Sequence, residues 1–175
     1  MSKPVYKIAI TGPESTGKST LSAELAKHFN TLWVPEYARE YIGSLKRDYT
    51  ARDIEVIAKE QVQREKELLK YANRFLFCDT DPLVCHIWHL VKYGKPSDAI
   101  SKLMKETKYD LILLCDIDME WEYDPMREHP DKREWLMEKY KSELKNLTRE
   151  YQLITGNENK RTDHANSVIQ ACINQ

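Results

Sequence analysis

Short apolar runs alternate along this chain with longer stretches in which apolar residues recur every three or four positions. Residues 5–11 (VYKIAIT) read as a strand, and 19–30 carries Leu21, Leu25 and Phe29 at helical spacing. Residues 31–36 (TLWVPE) predict a second strand, ended by Pro35. A long polar helix is expected over 50–72. Thr50 and Asp53 match a capping box there, and Ile54, Ile57, Ala58, Val62, Leu68 and Leu69 supply its apolar face. RFLFCD (74–79) and DLILLCD (110–116) are short apolar runs flanked by charge, the pattern of buried parallel strands, and YQLITG (151–156) makes a fifth strand. Helices are expected over 82–93, 97–107, 132–150 and 162–173. Strands alternating with helices predict an α/β sheet covered on both faces.

The chain has 175 residues, enough for one domain (1–175) with a real core, and it shows no repeat or linker. Lys plus Arg (27) nearly cancels Asp plus Glu (28), so no basic field argues for a nucleic-acid partner. The opening MSKPVYKIAI lacks the apolar run of a signal peptide, and nothing later approaches a membrane span. Cys78, Cys85, Cys115 and Cys172 form no CxxC pair and are expected to be buried free thiols. Together these features predict a soluble cytoplasmic protein without a membrane partner.

The candidate chemistry starts between the first strand and the first helix. Gly12-Pro13-Glu14-Ser15-Thr16-Gly17-Lys18-Ser19 fits G-x-x-x-x-G-K-[ST] at every fixed position. Glycines let successive N–H groups turn toward phosphate oxygens, and the helix N-terminus adds positive potential. Lys18 is expected to reach the β- and γ-phosphates of ATP, and the Ser19 hydroxyl to ligate Mg²⁺. A GTPase would need an N-K-x-D guanine reader. Here Asn159-Lys160-Arg161-Thr162 has Thr at the acid position, and Asp79-Thr80-Asp81-Pro82 lacks a switch-loop glycine. A small phosphotransferase is therefore favoured over a GTPase or a large ATPase motor.

An acceptor would bind above the strand ends. VPEYAREY places Glu36, Arg39 and Glu40 just after the second strand, where a carboxylate can take the proton of an attacking hydroxyl, or where a polar loop is simply solvated. Asp79 ends an apolar strand at the position of an acid that holds Mg²⁺. Asp81 has three open readings: metal ligand, contact to a substrate hydroxyl, or helix N-cap. The polar stretch 116–133 sets Arg127 and Arg133 beyond the fourth strand, where they would close over the phosphates. His86 and His89, with Cys85 beside them, are read as helical packing in preference to a metal site. Trp88 offers either core packing or a planar face for an aromatic or cationic ring.

GPESTGKSTL, VPEYAREY, FCDTDPLVCHIWHLVKYG and YDPMR in this order resemble the nicotinamide riboside kinase domain of NadR-type NAD-salvage proteins, over nearly the whole chain. The resemblance implies a P-loop NTPase core, a five-stranded parallel sheet of order 2-3-1-4-5 with helices on both faces, and an arginine-bearing lid at about 117–135. It implies ATP- and Mg²⁺-dependent phosphorylation of the ribosyl 5′-hydroxyl of nicotinamide riboside, a small-molecule nucleoside. By position, Gly12 to Thr20 would be the phosphate loop and Asp79 the metal-linked acid. Glu36, Tyr37 and Arg39 would face the riboside, with Arg127 and Arg133 as lid arginines. The segment 155–161, with Asn157 and Lys160, would lie by the adenine. Tyr-Asp-Pro-Met-Arg departs from the Asp-Gly-x-Arg expected of such a lid. The adenylyltransferase and helix-turn-helix domains of fuller members are absent from this sequence, so those activities are not carried over. A kinase for another nucleoside, and an ATP-binding regulatory module with little turnover, are the competing readings.

Overall fold

The computed structural model describes residues 4–173. In chain order the elements are β1 (Tyr6–Thr11), α1 (Lys18–His28), β2 (Leu32–Val34), α2 (Tyr37–Ser44), α3 (Ala51–Leu68), β3 (Phe75–Asp79), α4 (Pro82–Tyr93), α5 (Asp98–Glu106), β4 (Leu111–Cys115), α6 (Arg133–Asn146), β5 (Gln152–Ile154) and α7 (Glu158–Ile173). The strands form one parallel sheet of order β2-β3-β1-β4-β5, the order the family resemblance implies. Residues 1–3 and 174–175 of the expected 1–175 domain lie outside the described residues.

Alternation along β1 divides the core between the two faces. Ile8 and Ile10 pack with Leu21 and Leu25 of α1 and with Ala165 and Ile169 of α7. Ala9 faces the other side, with Leu83 and Ile87 of α4 and Leu136 and Tyr140 of α6. All five β3 residues are buried, which is why the run is apolar up to its last residue, Asp79. Beside this core, α3 packs Ile54, Ile57 and Ala58 against Ala38, Cys85 and Ile100. Its capping box is formed as the sequence predicts: Thr50 N–H donates to Asp53 at 2.7 Å, and Asp53 also accepts from Arg47.

Several boundaries differ from expectation, each for a local reason. Residues 37–44, read only as a polar segment, form helix α2, which buries Ala38 alone. β2 stops at Val34 because Pro35 has no N–H to continue the ladder. α6 ends at Asn146, short of 150, where Thr148 turns to φ 54°. α7 starts at Glu158, four residues before the expected 162. Cys78, Cys85 and Cys115 are buried free thiols as expected, but Cys172 is exposed on α7. Among the described residues no helix is long and apolar enough to cross a membrane.

Candidate active site

The carboxyl ends of β1, β2, β3 and β4 deliver the loops that make the site, as parallel sheets generally do. After Thr11 the chain turns sharply: Gly12 has φ 136°, Ser15 φ 56° and Gly17 φ 73°. A Cβ on Gly12 would lie 2.8 Å from the Cys115 carbonyl oxygen of β4, so the loop can lie on the sheet only with glycine there. Gly12→Ala should therefore cost about 1–3 kcal/mol of stability, read as a lower urea midpoint; an unchanged midpoint would show the approach to be slack. Thr16 Oγ1 and Lys18 Nζ both donate to the Pro13 carbonyl, at 2.8 and 2.7 Å. α1 opens at Lys18, so its free N–H groups face the loop's concave side.

Asp79 closes β3 beside Ile10 of β1 and is 1% exposed. Its Oδ1 has no hydrogen-bond partner. Burial pushes its carboxyl up to about 6, and the Glu36 charge adds to this; the Ser19 hydroxyl, Lys18 and Arg39 pull the other way. Glu36 sits at the N-cap position of α2 and accepts from Arg39 Nε at 3.1 Å. Arg39 Nη1 reaches on to Asp124 at 2.7 Å.

Glu36, Arg39 and Asp124 line one cavity of about 410 Å³, whereas Asp79 is buried and does not line it. Its polar end is the phosphate loop, with Glu36, Arg39 and Asp124. Its apolar wall is Val84, Ile87 and Trp88 of α4 with Leu136 and Tyr140 of α6. Trp88 is half-buried: its Nε1 donates to the Tyr49 hydroxyl at 3.0 Å, leaving part of the indole on the cavity. The Tyr49 hydroxyl donates in turn to Glu128 at 2.7 Å.

The segment between β4 and α6 has no helix or strand over 116–132 and lies across the phosphate loop. The Glu122 N–H donates to Ser15 Oγ at 2.9 Å, and the Glu14 carboxylate accepts from the N–H groups of Glu128 and His129, at 3.0 and 2.6 Å. Arg127 reaches Ser15 Oγ at 3.2 Å, and Arg133 donates to the Ser15 and Met119 carbonyls at 3.1 and 2.8 Å. Both arginines expected over the loop are thus brought to it.

Other expected residues are not brought to the cavity. The Tyr37 ring lies 4.2 Å beneath the Arg64 guanidinium and does not line the cavity. Glu40 is turned outward and paired with Arg64 at 2.8 Å. Asp81 takes the N-cap position of α4 without a side-chain cap hydrogen bond, is 1% exposed, accepts from Thr11 Oγ1 at 2.8 Å and leaves its Oδ2 without a partner. Asn157 and Lys160 stand exposed at the β5–α7 turn, outside the cavity wall, where Asn157 accepts from the Arg161 N–H at 2.7 Å. His86 lies 3.5 Å from Glu143 and His89 Nδ1 2.9 Å from the Lys95 carbonyl. Among the described residues no cluster of three or more His, Cys, Asp or Glu could hold a metal ion. Sequence reasoning missed Asp124, Leu136 and Tyr140 as wall residues and the Glu14 contact to the lid segment. Only the polar character of 116–133 pointed toward Asp124.

A family profile described as an AAA domain matches residues 7–161. The Trifunctional NAD biosynthesis/regulator protein NadR of Escherichia coli (strain K12) is 35% identical over 127 residues, covering 70% of this chain and 31% of that protein. Its namesake from Salmonella typhimurium gives the same figures. The chain thus spans less than a third of the length of these curated relatives. A NadR protein crystallised in complex with NR superposes with a TM-score of 0.80 at 23% identity, over 98% of this chain and 52% of that one. A NadR protein in complex with NAD and AMP-PNP superposes at 0.78 and 22%, over 97% and 50%. At these identities the superpositions show a shared fold.

Proposed function

The chain belongs to the AAA-domain family, and on that premise we propose that it is a nicotinamide riboside kinase, which phosphorylates the ribosyl 5′-hydroxyl with ATP to give nicotinamide mononucleotide. The observation that carries this reading is the single cavity that joins a phosphate loop to an apolar chamber, with Glu36 between them. NadR relatives named for NAD biosynthesis, and NadR structures holding NR and AMP-PNP, support the choice of acceptor and donor. On this reading the chain acts as one domain over 1–175 with 117–135 as its lid. ATP use and the three buried thiols favour the cytoplasm.

Each side chain has a part that follows from its position. The loop N–H groups and Lys18 take the β- and γ-phosphates, with Lys18 leaving the Pro13 carbonyl to do so. Glu36, partly exposed to the cavity, accepts the proton of the 5′-hydroxyl as that oxygen attacks the γ-phosphorus. Arg39 holds Glu36 in place and ties it to Asp124 on the lid. Arg127 and Arg133 are poised over Ser15 to neutralise charge that develops on the transferred phosphoryl group. The unpartnered Oδ1 of Asp79, with the Ser19 hydroxyl beside it, fits a Mg²⁺ site: these two residues would hold the ion, which supplies charge neutralisation between the phosphates. The adenine would rest toward the β5–α7 turn, near Asn157 and Lys160.

Trp88 is the group suited to the cationic nicotinamide ring. A cation–π contact is worth about 0.5–2 kcal/mol, up to ~30-fold in binding. The kcat/KM for nicotinamide riboside should therefore exceed that for its neutral reduced-ring analogue. Trp88→Leu should narrow the gap, and Trp88→Phe should keep part of it. Equal use of both ribosides by the wild type would favour a general nucleoside kinase.

A further inference from the structure

Gln61 of α3 is 3% exposed and makes no contact with the cavity, yet all of its polar atoms are committed to the two turns that carry the site. Its Oε1 accepts from the Tyr37 N–H at 2.9 Å. Its Nε2 donates to the Pro35 carbonyl at 3.3 Å and to the Asp79 carbonyl at 3.2 Å. Only this orientation of the amide satisfies all three backbone groups, because two are acceptors and one is a donor.

The placement follows from the sheet. The β2–β3 ladder ends with Val34 opposite Cys78, and the next pair along would be Pro35 and Asp79. Pro35 has no N–H, so the backbone cannot continue the ladder there. The Gln61 amide spans that gap: it joins the carbonyls of the two strand ends and pins the first N–H of α2. Glu36 lies between Pro35 and Tyr37, so both of its chain neighbours are held by one side chain, and that side chain also holds Asp79.

We propose that Gln61 is a positioning residue that fixes the Glu36 carboxylate relative to Asp79 and the phosphate loop. Its catalytic consequence rests on the kinase function proposed above. Its hold on the turn does not. Arg39 bonds the Glu36 carboxylate itself from an exposed side chain, whereas Gln61 holds the backbone on either side of Glu36. A displacement of about 1 Å at a reacting group can cost ~10²-fold in rate, so one interior amide can govern turnover without touching substrate.

The test uses the full chain with Gln61→Met, similar in length but without polar atoms, and Gln61→Asn, which keeps the amide but is too short to span. Amide hydrogen exchange is followed at Tyr37 against Ile8–Ile10 in β1, and kcat and KM are measured alone and with Glu36→Gln. Exchange at Tyr37 should rise about tenfold or more with β1 little changed. The kcat for nicotinamide riboside should fall by ~10²-fold with KM for ATP nearly constant. In the Glu36→Gln background the further loss of kcat should vanish, since both changes act through one group. Wild-type exchange at Tyr37 in a folded variant would overturn the proposal, as would an equal loss of kcat in both backgrounds, which marks general loosening. Faster exchange at Tyr37 in a chain that phosphorylates no riboside would uphold the hold on the turn and overturn the kinase function instead.

Discussion

Lys18→Ala is expected to remove nearly all phosphoryl transfer while the protein stays folded. The Lys18 ammonium makes one bond, to the Pro13 carbonyl within its own loop. Among the described residues no buried carboxylate is hydrogen-bonded to it: Asp81 Oδ1 is bonded to Thr11, and Asp79 Oδ1 has no hydrogen-bond partner. Removing the charge thus leaves the apo fold almost untouched but takes a cation from the phosphates. Single preorganised electrostatic groups are worth ~10²–10³-fold in kcat, and Lys18 should fall at or above the lower figure. Steady-state ADP release with far-UV circular dichroism checks both halves. A folded variant with near-wild-type turnover would mean that the loop does not serve as the phosphate site.

Glu36→Gln separates proton transfer from binding. The amide keeps the size of the side chain and an oxygen for Arg39 Nε, but it cannot take up the hydroxyl proton. General-base contributions are typically ~10²–10⁴-fold, so kcat should drop in that range while KM for ATP changes little. Asp81 is a poor substitute, since it is sealed beneath the loop and bonded to Thr11. An unchanged kcat with chemistry rate-limiting would show that Glu36 is not the base.

What the chain revealed in advance depended on whether the signal was local. β1, β3 and β4 are mainly apolar because both of their faces are covered, and that shows in any short window. α4 was legible to the residue: Pro82 opens it, and Gly94 closes it at φ 71°. The phosphate loop was legible because its glycines and lysine are adjacent in sequence. α2 was not, since its eight residues bury only Ala38 and its first N–H is fixed by Gln61, 24 residues on. Tyr37 was expected at the riboside because nothing in PEYAREY shows that Arg64 would cover its ring. Asp81 kept three readings because its partner, Thr11, lies 70 residues away.

Gln61 and Glu65 did carry an available signal. Both fall on the stripe 54, 57, 58, 61, 62, 65 that α3 buries, so each is a polar residue at a position the helical period assigns to the core. A polar group there must find partners. Glu65 finds Lys7 at 2.9 Å and Tyr109 at 2.8 Å, and Gln61 finds the three backbone groups behind the site.

The most direct measurement is incubation of the purified chain with ATP, Mg²⁺ and a panel of nicotinamide riboside, adenosine, uridine and thymidine, with products identified by mass spectrometry. A nicotinamide riboside kinase should form nicotinamide mononucleotide and ADP in equal amounts, with the highest kcat/KM for nicotinamide riboside and no turnover without Mg²⁺. ADP release without any phosphorylated riboside, or faster phosphorylation of a neutral nucleoside, would contradict it.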